Sequence, residues 1–333
     1  MPYIAGVGVV RPDDPTDLSL EEVVFEAAAA ALDDAGLTRA DIDGVSIGAS
    51  DQQDGRAISS MHLAGPAGSY LLDECKVTDD GACALALSVL RIEAGMSSKV
   101  LTVSWTKPSA SPFDAAIGVN PEPTFARPVG LHPTVAEAVW TRRFLDAHSI
   151  VDDALDGIAQ GESDELIATP LRRWHVPAPT EAAVAMVITA DASDVQIAGL
   201  AWGADHPDPT RRADVLGSLP HLAVRAYREA GLTPHAELAV ETTDRTVFRL
   251  ASAATGLGLA DGREAAAAVA AGELPNLNRS GGLWVSNPPV AAGLERVVEA
   301  ARRIREGENA AVAHSSYGAA GQGNAVTVLR PAA

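Results

Sequence analysis

Val77-Thr78-Asp79-Asp80-Gly81-Ala82-Cys83-Ala84-Leu85-Ala86-Leu87-Ser88-Val89-Leu90-Arg91-Ile92-Glu93-Ala94-Gly95 is the stretch that decides the fold. A short apolar lead ends in Thr-Asp-Asp-Gly. An alanine- and leucine-rich run follows at helical spacing, and Gly95 stops it. Thr and Asp before such a run cap the helix, because their side-chain oxygens accept from the unpaired amides of its first turn. Lys99 to Trp105 then forms a compact β run. Turn, buried helix and strand in this order place functional groups at a helix N-terminus, where the dipole favours negative charge.

A second copy lies near the C-terminus. Pro289-Val290-Ala291-Ala292-Gly293 opens a helix, Ile304-Arg305-Glu306-Gly307 closes it, and Ala311 to Tyr317 makes the strand. Gly81 to Gly95 and Gly293 to Gly307 have the same spacing, and Ser104-Trp105 ends in register with Ser316-Tyr317. Earlier, Ala35-Gly36-Leu37-Thr38 and Val45 match Ala230-Gly231-Leu232-Thr233 and Val240. Repetition of this kind outweighs any single motif. The expected organisation is α/β, with one half over residues 1–190, including a loop and helical excursion at 106–170, and a second over 191–333.

A chain of 333 residues, 47% hydrophobic, is long enough for one large core or two fused half-domains. Its net charge of −19 and lack of basic clusters argue against nucleic acid and anionic membrane surfaces. Cys75 and Cys83, the two cysteines, make no disulfide framework, which suits a reducing compartment. Neither a signal peptide nor a bilayer-length apolar run is visible, so the expected location is cytoplasmic.

In chain order, Tyr3 to Val10 reads as a strand, Arg11 to Ser19 as a loop and Leu20 to Ala35 as an amphipathic helix ended by Gly36. Ile42 to Gly48 is the next strand, and Asp51 to Gly68 is irregular. Pro108 to Pro133, punctuated by proline, reads as a surface excursion or the cover of a cleft. Val135 to His148 is expected to be a helix, Asp152 to Gln160 a weaker one, and Ala183 to Thr189 a buried strand. In the second half, Val195 to Gly199 and Leu238 to Thr242 read as strands, and Leu219 to Ala230, Arg245 to Gly256 and Arg263 to Gly272 as helices.

These residues, with Ile42-Asp43-Gly44-Val45, Asn278-Arg279-Ser280-Gly281-Gly282 and Gly318 to Gly321, resemble the thiolase superfamily, nearest its lipid-transfer-protein-type branch. The resemblance covers most of the chain. It implies a five-layered αβαβα fold of two pseudo-repeated halves, a dimer through the first-half sheet, and a coenzyme A thioester at the junction of the halves. No covalently bound cofactor is implied.

The family's chemistry does not carry over. Its nucleophilic cysteine stands three residues before the glycine matched by Gly81, which is Thr78 here. The histidine of its Glu-x-His-Asp pattern falls at Thr243, within Glu241-Thr242-Thr243-Asp244. That of its Gly-His-Pro pattern falls at Asn287, within Ser286-Asn287-Pro288. The second cysteine falls at Ser316. A threonine hydroxyl needs an adjacent base to act as a nucleophile, and the matching histidines are gone. Thr78, Asp79 and Asp80 therefore read first as capping residues, although paired carboxylates also do acid–base work. Asn287 can donate to a thioester carbonyl but transfers no proton, and it equally suits a turn before two prolines. Tyr317 and His314 flank the last position and are candidates for proton transfer; a tyrosine at a strand end is also ordinary core. Gly318 and Gly321 are expected to bind substrate through their backbone.

His62, His132, His148 and His175 lack ligand spacing, so no metal is assigned. Gly6-Val7-Gly8 is too short for a dinucleotide signature.

Three functions stay open. The first is an acyl-CoA-binding or structural subunit of an acyl-CoA-processing complex in lipid metabolism. The second, implied by the resemblance, is a retro-aldolase for β-hydroxyacyl-CoA esters, working with a partner that carries an OB-fold and a zinc ribbon. The third is a thiolase using Cys83. The strand Lys99 to Trp105 reads as an unpaired sheet edge, which would carry a twofold dimer with itself or a paralogous thiolase.

Overall fold

Every residue of the strand Ala182–Thr189 is buried, and its two faces enter different cores. Ala183, Ala185 and Val187 join one apolar cluster, while Val184, Met186 and Ile188 join another. A strand covered on both faces requires a helical layer on each side of its sheet. The computed structural model shows those layers and describes residues 1–15, 17–160 and 163–332. Thr16, in the expected Arg11–Ser19 loop, lies outside them.

The strands in chain order are β1 (Tyr3–Val10), β2 (Gly44–Gly48), β3 (Asp73–Val77), β4 (Lys99–Thr106), β5 (Leu166–Ala168), β6 (Leu171–Arg172), β7 (Ala182–Thr189), β8 (Val195–Ala204), β9 (Ala239–Thr242), β10 (Ala311–Tyr317) and β11 (Gly323–Pro331). The helices are α1 (Leu20–Asp34), α2 (Ser59–Leu63), α3 (Gly81–Glu93), α4 (Phe113–Gly118), α5 (Pro133–His148), α6 (Leu219–Ala230), α7 (Val247–Gly256), α8 (Gly262–Ala271), α9 (Gly282–Val285) and α10 (Ala292–Arg305).

Hydrogen-bonded strand order is β3-β2-β4-β7-β1-β8-β11-β10-β9. The two half-sheets join through Tyr3–Gln196 and Ile4–Val195, with Ile197 N donating to Pro2 O at 3.0 Å. Read outward from that seam, β1, β7, β4, β2 and β3 correspond to β8, β11, β10, β9 and a single parallel bridge from Val240 to Leu277. The internal repeat is therefore a repeat of topology. Helix α1 covers the outer face of the first half-sheet, and α6 with α7 covers that of the second. Between the half-sheets lie α3 and α10, whose Leu85, Val89, Leu294 and Val298 share one core. Burying each such side chain stabilises by about 1.5–3 kcal/mol. The fold is α/β with five layers, αβαβα.

Two expectations need correction. The strand Lys99–Thr106 is interior, pairing with β2 on one side and β7 on the other. The edge is β3, read from the sequence only as an apolar lead. Parallel pairing between residues so far apart leaves no local signature, so the edge could not be told from β4 alone. Asp152 to Gln160 makes only a 3₁₀ turn at Asp156–Ile158, because it has Gly157 and no continuous apolar face to bury.

The matching glycines have a steric cause. A Cβ on Gly81 would stand 2.7 Å from Leu294 Cβ and 2.8 Å from Ser104 Oγ. A Cβ on Gly293 would run into Asp80 Oδ1 and come within 2.6 Å of Ser315 Oγ. Each central helix thus begins against the start of the other. Gly293→Ala is expected to cost about 1–3 kcal/mol by overpacking. Gly65→Ala, with open space around its Cα, should leave the urea midpoint unchanged; equal midpoints for both variants would refute the steric reading.

Candidate active site

The convergence of α3 and α10 forms the floor of a cleft of about 690 Å³. Thr78, Thr243, Asn287, Ser316, Tyr317 and Gly318 all line it, so positions spread over the whole sequence meet in one place. The excursion after β4 covers it: Phe113 and Ile117 of α4 and His132 before α5 face the same space. The proline-rich segment is therefore a cleft cover.

At the floor, Asp80 caps α3, accepting from Ala82 N at 2.8 Å. Asp80 Oδ1 also packs against Gly293 at the start of α10, with Ser315 Oγ of β10 close to the same glycine. Thr78 does not cap; it lies exposed two residues earlier, beside exposed Asp79. Among the described residues His132 is the one histidine in the cleft lining, on its cover. The halves are stitched together here, Gly81 N donating to Val290 O at 2.8 Å and Val290 N to Thr106 Oγ1 at 2.9 Å.

Cys83 is the third residue of α3, in its first turn, and is half-buried. Burial, then the Asp80 carboxylate, pushes its pKa up to about 12. Burial and the neighbouring Cys83 likewise raise Tyr317 above the usual tyrosine range. At neutral pH both the thiol and the phenol stay protonated. A nucleophilic role for Cys83 has no support in this geometry.

His314 is drawn away from the cleft. Its Nδ1 is 2.7 Å from Thr242 Oγ1 and its Nε2 is 3.0 Å from Asn324 Oδ1. Burial lowers its pKa to about 4, so it is a neutral ring holding two strands together. Strand alternation explains this: Tyr317 is three residues on, facing the other way. Gly321 also lies off the main cleft, against the small polar pocket that His314 lines. Asn287 is on the cleft, but its Nδ2 donates to Pro177 O at 3.2 Å and Ala178 O at 3.3 Å. Both amide protons are committed, so it is a turn-fixing residue and not a free donor. Thr243 accepts from Ser316 N at 2.7 Å, tying β10 to the turn after β9.

Several residues escaped the sequence reading. Arg245 lines the cleft and donates to Gly318 O at 2.7 Å. Behind it, Glu137 of α5 accepts from Arg249 Nε at 2.8 Å, and Arg249 stacks 3.4 Å from the Trp140 ring centre. Burial works against the Glu137 charge, but Arg249 and Arg245 outweigh it and keep its pKa below the ordinary range. This buried pair fixes the turn around Gly318 from the excursion side. Arg127 and Arg173 also reach the cleft. No short motif announces these arginines; they are gathered by tertiary structure. Among the described residues no group of three or more His, Cys, Asp or Glu side chains stands ready to hold a metal. Nor is any helix there long and apolar enough to cross a membrane.

With this geometry in place, comparison with solved structures is informative. An Ltp2–ChsH2(DUF35) aldolase superimposes with a TM-score of 0.77 at 18% identity, over 99% of this chain and 97% of that one. The chain has the thiolase fold. A monomeric SCP2-thiolase-like protein type 1 from Mycobacterium smegmatis matches with a TM-score of 0.72 at 17% identity, over 99% of this chain and 76% of that one. Human mitochondrial 3-ketoacyl-CoA thiolase gives 0.73 at 13% identity, over 100% and 99%. No protein-family model and no curated protein sequence matches the chain. Identities this low carry the thiolase fold and leave the chemistry to the site itself.

The buried acids give this site a pH signature. Burial raises Asp80 and Asp244 each to about 7, against about 3.9 in an unfolded chain. Their contribution to stability is full below about pH 4 and is lost as pH rises through about 7. His314 has the opposite sign: its contribution is full above about pH 6.5 and is lost as pH falls through about 4. Asp244→Asn should flatten the decline in urea midpoint between pH 5 and pH 7.5. A variant profile parallel to the parent's would refute the Asp244 assignment.

Proposed function

We propose that this thiolase-fold protein, of the lipid-transfer-protein-type branch, binds a coenzyme A thioester in the cleft and cleaves β-hydroxyacyl thioesters by a retro-aldol reaction with a partner subunit. The observation that carries the reading is Tyr317. Its protonated hydroxyl stands on an open cleft where the position of the nucleophile is Thr78, a hydroxyl that lacks the ready ionisation of a thiol. Such a site transfers protons and does not take an acyl group.

The step balances without an oxidant. A base removes the β-hydroxyl proton, a carbonyl forms there, and the Cα–Cβ bond breaks. Its electron pair passes to the thioester as an enolate, which takes up a proton at Cα. Tyr317 is the proton donor, and Asp79, exposed on the same cleft, is the base. The products are an aldehyde or ketone and a shortened acyl thioester. Arg127 and Arg173 are the cleft arginines for an anionic carrier, in a lining that also holds Asp51, Asp79, Asp80, Asp114 and Glu137. The fold likeness to an aldolase whose name includes a DUF35 component supports both the reaction class and a partner subunit. A second reading, an acyl-CoA-binding or structural subunit without turnover, is favoured by the engagement of Asn287 and Thr243 within the protein.

The test uses the purified chain, alone and with a co-expressed OB-fold and zinc-ribbon partner, on acetoacetyl-CoA plus coenzyme A and on a 3-hydroxyacyl-CoA. No thiolysis is expected in either case, and aldehyde or ketone release is expected with the partner. Tyr317→Phe should lower that release at least 10²-fold, about the value of one general acid–base group, while Thr78→Ala leaves it unchanged. Thiolysis abolished by Thr78→Ala would overturn the reading; binding of the thioester without turnover would establish the second one.

We also propose a twofold dimer, with a second copy or a paralogous thiolase, across the β3 edge. Exposed Met61, Tyr70 and Leu71 stand in the segment leading to it. Sedimentation at micromolar concentration should give a dimer that Lys76→Pro weakens, since proline removes an edge N–H. A monomeric parent would refute the dimer.

A further inference from the structure

The free edge of β3 carries its charges in an order that fits a second copy of itself. Ala49 N donates to Val77 O at 3.1 Å, so Val77, and by alternation Cys75 and Asp73, turn their backbone groups toward β2. Glu74 and Lys76 turn their N–H and C=O groups outward, where β3 ends the sheet. The side chains alternate as well. Glu74 accepts from Ser69 Oγ, and Lys76 Nζ donates to Asp51 and, at 2.8 Å, to Ser59 Oγ of α2, on the outer face. Asp73 accepts from Arg91 of α3 at 2.9 Å, on the inner face. Half-buried Cys75 stands in the middle of the strand, on that inner face.

We infer that the β3 edge pairs antiparallel with the same edge of a second copy, with Cys75 on the twofold axis. This deepens the dimer proposed above, rests on it, and commits it to self-pairing. A twofold axis normal to the sheet keeps each face on its own side, so only residues of one face stand opposite one another. The centres available are then Glu74, Cys75 and Lys76, since a centre at either end pairs that residue alone within the strand. Centring on Glu74 or on Lys76 sets that charge against its own copy, which is destabilising. Centring on Cys75 sets Glu74 opposite the partner's Lys76 on both sides of the axis, and these residues exchange their outward N–H···O bonds. The two Cys75 residues then make a non-hydrogen-bonded pair, with Cα atoms about 4.5 Å apart, a distance a disulfide can span. Beyond the strand the same register carries the partner's Leu71 toward Thr78 and Asp79 of the cleft lining. That side chain is 85% exposed in the single chain and gains a cover in the pair.

The experiment locates the axis with thiols in the full chain. In a Cys83→Ser background Cys75 is the sole thiol; Glu74→Cys and Lys76→Cys are each made in a Cys75→Ser, Cys83→Ser background. Sedimentation first establishes the dimer at micromolar concentration. Diamide then oxidises each protein, and non-reducing electrophoresis reads the cross-linked dimer. Cys75 should link about tenfold faster or more than either neighbour, whose own copy lies diagonally about 7–8 Å away, beyond bridging distance. Glu74→Lys, which sets like charges opposite one another on both sides of the axis, should raise the dissociation constant about fivefold or more, and Glu74→Gln less. A monomeric parent removes the dimer itself and this register with it. A dimer in which Cys75 links no faster than residue 74 or 76, or in which no position links, overturns the register and leaves the dimer standing. So does a folded Glu74→Lys protein that dimerises as tightly as the parent.

Discussion

The close approach of two helix N-termini is the constraint on which the rest depends. Gly81 and Gly293 allow α3 and α10 to start against one another, and the unpaired amides so gathered demand an acceptor. In this chain the acceptor is Asp80. The sheets follow from the helices: each central helix must bury two sides, so each half-sheet is covered on both faces and reads as nearly continuous apolar strand. The cleft follows too, since the loops leading into both helices open onto the same space.

Around that floor, the positions that resemble catalytic ones have become structural. Thr243 ties β10, Asn287 fixes the turn after Ala178, and His314 bridges Thr242 and Asn324. Each makes side-chain hydrogen bonds within the protein. Tyr317 remains on the cleft, held protonated, with Arg245 and the Glu137–Arg249 pair fixing the turn that carries it. Losing nucleophile and bases as a set changes the type of chemistry, since such groups act as a unit.

The halves and the central helices were legible in the sequence because glycine spacing and apolar periodicity are local. Gly81 to Gly95 and Gly293 to Gly307 mark helices whose ends fall within two residues of those glycines. The edge strand went unread: Asp73, Glu74 and Lys76 of β3 are the charges an edge carries, but parallel pairing across such separations leaves no local signature of a strand. His314 and Tyr317 looked equivalent until strand alternation sent one inward and the other to the cleft. Asp80 was legible as a cap, but nothing nearby in the sequence announces that Gly293, more than two hundred residues on, packs against it. The arginines of the cleft were silent for the same reason.

Intact-mass spectrometry tests the central claim most directly: that the helix N-termini hold the protein's own carboxylate and no acyl-accepting nucleophile. The chain is incubated with acetyl-CoA or acetoacetyl-CoA, quenched in acid and weighed. The expected result is the unmodified mass at every time point. A stoichiometric acyl adduct, mapped by peptide digestion to Thr78 or Cys83, would contradict it.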